Sequence, residues 1–161
     1  MRSQTWSTFP VVVGVALALV AGGVAQAGDA WLGTWKLNLA KSSYNPGPAP
    51  SSGKTRFEIA SLGRVKVVSD GVDAAGRSTH NEIVTMFDGK PSELKGTDPP
   101  VTLAFSRIDD HRYELVTKVN GKVTATSICS IAGDGKTRTL VTKSLTANGE
   151  WATSTAVYDR Q

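Results

Sequence analysis

The chain has 161 residues, with 18 Lys or Arg and 14 Asp or Glu, which gives a formal net charge of +4. Its basic residues are scattered singly among acidic ones, whereas a nucleic-acid-binding surface would gather them on one face, so we exclude nucleic acid as a partner. The single cysteine, Cys129, rules out an intramolecular disulfide and lies in an alternating strand pattern, which is typical of a small apolar side chain in a core.

The N-terminal segment has the pattern of a signal peptide. Arg2 precedes the apolar run Val11–Val20, and Ala25-Gln26-Ala27 then places small residues where signal peptidase requires them. The run is shorter than the roughly 20 residues of a membrane-spanning helix, which favours a cleaved signal over an anchor. We therefore predict a signal peptide at 1–27, one domain at 28–161 with no membrane span after cleavage, and a periplasmic or extracellular location in a bacterium.

Period-two alternation predicts strands along the rest of the chain. In 54–60, Thr55, Phe57 and Ile59 fall on one face and charged residues on the other, which indicates a strand half buried against a core. Similar segments occur at 64–69, 80–87, 101–108, 111–119, 122–131, 137–145 and 151–158, separated mostly by Asp-Gly or Asn-Gly pairs typical of tight hairpins. Two stretches rich in Pro, Ser and Gly, 41–53 and 90–100, are predicted to be irregular loops, although 92–95 could form a short edge strand.

The hairpin around Asn120-Gly121 can be placed in register from its pattern. A three-residue loop, 119–121, sets Leu115 opposite Ala125 and Lys118 opposite Lys122. It gathers the apolar side chains of both strands on one face: Tyr113, Leu115, Val119, Val123, Ala125, Cys129 and Ile131. A two-residue loop would mix apolar and charged residues on both faces, because a one-residue slip reverses every side chain. The pattern therefore predicts the three-residue loop.

These eight segments and a first strand that contains 33–37 make nine short strands joined mostly by tight turns. They predict an all-β fold, a single antiparallel up-and-down barrel of about 8–10 strands. The connections look local, and each strand has one apolar and one charged face, which favours a barrel over a Greek-key sandwich. The outward positions carry Arg, Lys and Glu, which argues against a barrel that sits in lipid.

Both ends of the domain resemble the calycins, meaning the lipocalins and fatty-acid-binding proteins, and the chain is similar to bacterial exported lipocalin-like proteins. The run GTWKL at 33–37 resembles the opening strand of fatty-acid-binding proteins, and TAVYDR at 155–160 resembles their closing strand. The resemblance implies a barrel that binds a small, partly apolar ligand noncovalently, without a cofactor. It also implies that Gly33 and Trp35 close one end of the barrel, with Arg160 as a basic cover over the tryptophan.

Two departures from that family bear on the ligand. The two-helix lid after the first strand is replaced by loop 41–53, and the inward arginine of the closing strand is replaced by Ala156, although Tyr158 is retained. If Leu140 and Thr142 point inward, Arg138 does too, and Arg138 with Tyr158 would form a polar pole for an anionic head group. In the opposite parity Val141 points inward and Arg138 lies in solvent. The sequence leaves both alternatives open.

The predicted ligand-binding residues are Tyr158, Arg138, Thr142, Leu140, Phe57, Tyr113 and Phe105, with a small hydrophobic or amphiphilic molecule as the partner. An alternative is a ligand-free envelope or interaction protein that contacts an unidentified partner through loops 41–53 and 90–100. Catalysis and metal binding are not predicted. His80 and His111 lie on separate strands or strand edges without metal-ligand spacing, and Asp109-Asp110 is explained as turn chemistry.

Overall fold

A computed structural model describes residues 28–161, so the predicted signal peptide lies outside the described residues. Within this range the chain forms ten strands. Their bounds are Gly33–Leu37 (β1), Ser52–Ile59 (β2), Val65–Val72 (β3), Ser78–Thr85 (β4), Asp88–Leu94 (β5), Val101–Arg107 (β6), Arg112–Val119 (β7), Lys122–Ile131 (β8), Thr137–Leu145 (β9) and Trp151–Arg160 (β10). Two three-residue 3-10 helices, Leu39–Lys41 and Ser61–Gly63, accompany them. No helix in this part of the chain is long and apolar enough to cross a membrane.

The ten strands form one antiparallel sheet in the order β4-β3-β2-β1-β10-β9-β8-β7-β6-β5. Every pair of strands consecutive in the chain is hydrogen-bonded except β4 and β5, and β1 pairs with β10. The sheet curls so that β4 and β5 approach each other, and the Ser92 hydroxyl donates to Thr85 Oγ1 across the seam at 3.2 Å. The predicted all-β up-and-down barrel is therefore confirmed as a nearly closed barrel. The prediction of an irregular loop over 90–100 is wrong for residues 90–94, which belong to a full strand, β5.

The alternating pattern produces the two faces of this sheet. On β2, Thr55 and Phe57 are buried inside the barrel, whereas Lys54, Arg56 and Glu58 are exposed outside it. Arg56 pairs with Glu58 at 2.9 Å on the outer surface, a half-exposed contact of the kind that contributes about 0–1 kcal/mol. Burial of the inner apolar face, rather than outer ion pairs, therefore stabilises the barrel.

The predicted register of the β7–β8 hairpin is wrong. Val119 pairs with Lys122 across a two-residue turn, in which Asn120 has φ 50° and Gly121 has φ 74°. A bulge between Thr117 and Lys118 then shifts the register. Leu115 consequently opposes Ser127 rather than Ala125, and Val123 is exposed rather than inward. Farther from the turn, the inward and outward residues are again as predicted, because the bulge adds the one residue by which the observed turn is shorter than the predicted loop.

The strand directions place the long loops at one end of the barrel. The connections 38–51, 73–77, 95–100, 120–121 and 146–150 all lie there, and we call this the open end. Loop 38–51 runs back along β10, where Ser43 forms a two-way backbone bridge with Thr155. Leu39, which has the same alternation as Trp35 and Leu37, lies in a 3-10 helix and is 41% exposed, because β1 ends at Leu37. Both loops of the alternative hypothesis therefore lie around the same opening.

An aromatic cluster fills the opposite, closed end. Its members are Trp31, Trp35, Phe57, Phe87, Phe105 and Tyr113, and we call them the aromatic floor. Trp31 is fully buried, with its ring stacked on Phe87 at 5.2 Å and in edge contact with Tyr113 at 5.8 Å. The Trp35 indole N–H donates to the Trp31 carbonyl at 2.8 Å, which satisfies one buried polar group. Because these rings bury one another, the closed end has a packed core.

Candidate functional site

Arg138 lies inside the barrel, with 2% of its surface exposed. On β9 its neighbours at i+2 and i+4, Leu140 and Thr142, are half-buried on the same face, while Val141 is 40% exposed. The opposite parity, with Val141 inward, is therefore excluded. Arg138 is directly paired with Tyr158 on β10, so the two side chains share a position on the inner wall.

Aromatic rings surround the Arg138 guanidinium. Its central carbon lies 4.0 Å from the ring centroid of Tyr158, 5.1 Å from Phe57 and 5.8 Å from Trp35. None of the ion pairs within residues 28–161 includes Arg138, and its buried Nε has no hydrogen-bond partner there. Burial of a charge costs several kcal/mol, and a close, desolvated cation–π contact returns about 2 kcal/mol. The rings therefore offset only part of that cost, and residues 28–161 supply no acidic partner.

Phenol and thiol groups lie close to this cation. Burial raises the pKa of Tyr113 well above its ordinary value, and its hydroxyl is hydrogen-bonded to Cys129 and interacts electrostatically with Arg138 and Tyr158. Burial, and then Tyr158, raises the pKa of Tyr44, although its hydrogen bond to Ser42 lowers it. These phenols keep their protons at neutral pH and so remain hydrogen-bond donors. Arg138 thus lies near the uncharged Tyr113–Cys129 pair.

The wall formed by β8, β9 and β10 rises from Arg138 to the open end in rungs of directly paired residues. The first rung is Ile131–Arg138–Tyr158, the second Cys129–Leu140–Ala156, the third Ser127–Thr142–Ser154, and the fourth Ala125–Ser144–Ala152. On the third rung the hydroxyls of Ser127 and Thr142 are 2.8 Å apart, and Ser154 is held by the backbone of Asn45. Unlike the aromatic floor, the upper rungs contain partly exposed inner-face residues such as Leu140, Thr142 and Ser144. The half of the barrel nearer the open end, which we call the open half, therefore has a rung with a cation, an apolar rung and a hydroxyl rung in succession.

The predicted site residues divide between these two halves. Arg138, Tyr158, Leu140 and Thr142 lie together on the inner wall. The remaining three are Phe57, Phe105 and Tyr113, which are buried in the aromatic floor, where Tyr113 is in ring contact with both phenylalanines. The predicted ligand-binding and barrel-closing residues do not include Tyr44, Phe87 or Ser127. The alternation along β8 nevertheless places Ser127 inward together with Ala125 and Cys129.

Two arginine–tryptophan contacts fasten the closed end. The Arg160 guanidinium lies 4.3 Å from the Trp35 ring and donates to the carbonyls of Ala30 and Leu32. Gly33 permits this contact, because it has φ +111° and a Cβ there would lie 2.8 Å from the Arg160 Nη1. Near Trp31, Arg107 lies 5.5 Å from the ring and pairs with the buried Asp29 carboxylate at 2.8 Å.

The other candidate groups lie outside this interior. His80 pairs with Asp70 on the exposed surface at 2.6 Å, and no cluster of three or more His, Cys, Asp or Glu side chains suited to a metal occurs within 28–161. Asp109 caps the β6–β7 turn by accepting from the His111 N–H and from Arg112, which lowers the pKa of Asp109. These contacts account for Asp109 as a turn residue, the role that the sequence suggested.

Neither a scan against protein-family models nor a search of curated proteins gives a match. Among solved structures, the fluorescent protein UnaG is 14% identical with a TM-score of 0.56, covering 81% of this chain and 97% of its own. A Schistosoma mansoni fatty acid binding protein in complex with arachidonic acid is 14% identical with a TM-score of 0.56, covering 84% and 99%. As-p18, an extracellular fatty acid binding protein, is 16% identical with a TM-score of 0.53, covering 83% and 97%. These similarities establish the fold.

Proposed function

We propose that this protein is an exported, noncatalytic carrier that binds a small, partly apolar anion noncovalently in the open half of its barrel. The observation that carries the proposal is Arg138, a buried cation with no acidic partner in the described chain. A ligand carboxylate would satisfy the guanidinium, and the phenol of Tyr158, whose ring lies against Arg138, is a nearby hydrogen-bonding group. The binding of arachidonic acid by a protein of the same fold supports the proposal.

Burial of apolar ligand surface would supply most of the binding free energy, at about 25 cal/mol per Å². Leu140 on the inner wall is partly exposed and available for such contact, as are Leu94, Leu103 and Leu115, which also pack on the core. The polar groups would then fix the orientation of the ligand, with its charged end at Arg138 and its remainder toward the open end.

The test compares decanoate with decanol, which has the same chain and no charge, by isothermal titration calorimetry. In Arg138→Met we expect decanoate affinity to fall about tenfold to a hundredfold, the value of a hydrogen bond to a charged group, with little change for decanol. Arg56→Met is the matched control, because Arg56 is on the outer face of β2, and both affinities should remain at the wild-type level. Equal decanoate affinity in wild type and Arg138→Met would contradict the proposal.

A second candidate function has one observation in its favour, since loops 38–51 and 95–100 lie together at the open end and could form one contact surface. Native mass spectrometry of the protein purified from the periplasm distinguishes a carrier from an interaction protein. A co-purifying small molecule supports the carrier. A bare mass, no binding of decanoate and a specific protein partner would support the interaction protein. Recovery of the full-length precursor in the cytoplasm would contradict export.

A further inference from the structure

We infer that the ligand is polar at both ends, with an anionic head group, a short apolar middle and a hydrogen-bonding group at its far end. This inference rests on the proposed function and narrows the class of ligand. It follows from the order of side chains along the β8–β9–β10 wall, where a cation, an apolar rung and a hydroxyl rung succeed one another.

The spacing of these levels sets the length of the ligand. On β9 the cation Arg138, the apolar Leu140 and the hydroxyl of Thr142 follow at successive inward positions. At about 3.3 Å per residue, Arg138 and Thr142 are ~13 Å apart along the strand. With the strand tilt of about 40° that is usual in barrels, they are ~10 Å apart along the barrel axis. A plain alkyl chain that reached from one to the other would place its methyl end against hydroxyl groups.

The hydroxyl level retains hydrogen-bonding capacity. Ser127 and Thr142 lie 2.8 Å apart, so one hydroxyl donates to the other and the second keeps its own proton. Ser127 is buried, and Thr142 is half-buried on the inner face beside it. Ser154, on the same rung, is already bonded to the Asn45 backbone and so contributes less. The Ser127–Thr142 pair is therefore the group that would meet the far end of the ligand.

A hydroxyl left without a hydrogen-bond partner costs binding free energy when an apolar ligand end covers it. This cost makes the site select ligands with a polar far end over ligands that end in a methyl group. An ω-hydroxyl or amide would replace the water that the Ser127–Thr142 pair loses, whereas a methyl group would not. The predicted ligands are thus hydroxylated or otherwise doubly functionalised acids of medium length, in preference to simple fatty acids.

The experiment compares decanoate with ω-hydroxydecanoate by isothermal titration calorimetry. In wild type we expect the ω-hydroxy acid to bind about three- to tenfold more tightly, the value of one net hydrogen bond. In the double variant Ser127→Ala/Thr142→Val the preference should fall to about one, because the ω-hydroxy acid loses its hydrogen-bond partner and decanoate no longer covers an unpaired hydroxyl. Thr142→Ser keeps a hydroxyl and should keep the preference. Thr139→Val makes the same change on the outer face of β9 and should leave both affinities unchanged.

Two outcomes would overturn this inference and leave the proposed function standing. One is equal affinity of wild type for the two acids, with both reduced in Arg138→Met. The other is a preference that survives in a folded double variant, with folding verified by circular dichroism. Failure of both acids to bind, or binding that is independent of Arg138, would instead overturn the proposed function and this inference with it.

Discussion

Replacement of Arg138 by methionine should make the ligand-free protein more stable. Arg138 has 2% of its surface exposed and no acidic partner among residues 28–161. Removal of a buried, unpaired charge releases its desolvation penalty of several kcal/mol. Methionine has a similar length and no polar atom to leave unsatisfied, so it fills the same space beside the aromatic rings.

The magnitude follows from the three ring contacts that the substitution removes. Tyr158 at 4.0 Å is the strongest, and Phe57 at 5.1 Å and Trp35 at 5.8 Å are weaker. Together they contribute about 3 kcal/mol, if the close contact is assigned ~2 kcal/mol and the distant ones ~0.5 kcal/mol each. Against a penalty of roughly 5 kcal/mol, the expected net gain in the free energy of unfolding is about 1–3 kcal/mol.

Urea denaturation of the ligand-free protein measures this gain. At an m-value of about 2 kcal/mol/M, the unfolding midpoint should rise by ~0.5–1.5 M. Arg56→Met, an outer-face change that removes only an exposed ion pair with Glu58, should shift the free energy of unfolding by less than about 0.5 kcal/mol. An Arg138→Met protein that is less stable than wild type by more than about 1 kcal/mol would refute the reasoning. It would mean that the guanidinium is satisfied within the protein and is not held ready for an anion.

Three further predictions concern the scaffold. Trp31→Ala should lower the free energy of unfolding by about 3–5 kcal/mol in urea denaturation, because it removes a fully buried ring from the aromatic floor, and a loss under 1 kcal/mol would contradict that role. Burial raises the pKa of the Cys129 thiol and of Tyr113, so at alkaline pH the folded state keeps protons that the unfolded state releases. The free energy of unfolding should therefore be constant below pH 9.0, the ordinary pKa of a thiol, and should fall as the pH rises above it. The urea midpoint, measured between neutral and alkaline pH, checks this sign. Gly121→Ala should cost about 1 kcal/mol because Gly121 has φ 74°, whereas Gly133→Ala, without positive φ or close neighbours, should be nearly neutral in the same assay.

The fold could be predicted from the sequence because each strand has one apolar face, as in β2, and because the Asn-Gly and Asp-Gly pairs at 120–121, 134–135 and 148–149 lie in turns. Asp70-Gly71 does not mark a turn, since it lies within β3 and pairs with β4. The register near Gly121 could not be predicted. A two-residue turn followed by a bulge and a three-residue loop without a bulge give the same alternation of inward and outward residues farther from the turn. The orientation of Arg138 was also undecided, because Val141 beside it is apolar and alternation alone permits either parity. Tertiary pairing with β8 and β10 determines which face of β9 turns inward.

The candidate site was harder to predict than the fold for a physical reason. Phe57, Phe105 and Tyr113 are predicted to contact the ligand because they are inward aromatic residues, and in the structure Tyr113 packs against both phenylalanines at the closed end. Inward alternation identifies the lining of a barrel without indicating how deep each residue lies. Tyr44 could not be identified at all, because it lies in a loop without periodicity and is positioned by the Ser43–Thr155 bridge.

The first and last strands of the barrel are fastened to each other, and this has a consequence for folding kinetics. Arg160 donates to the carbonyl of Ala30, 130 residues away in the chain, and β1 pairs with the last three residues of β10. Neighbouring hairpins such as β7–β8 can form early because their contacts are local, whereas the β1–β10 pairing requires closure of nearly the entire chain. The tryptophans of the closed end are therefore buried last, and their fluorescence should report the final, slowest step of barrel formation.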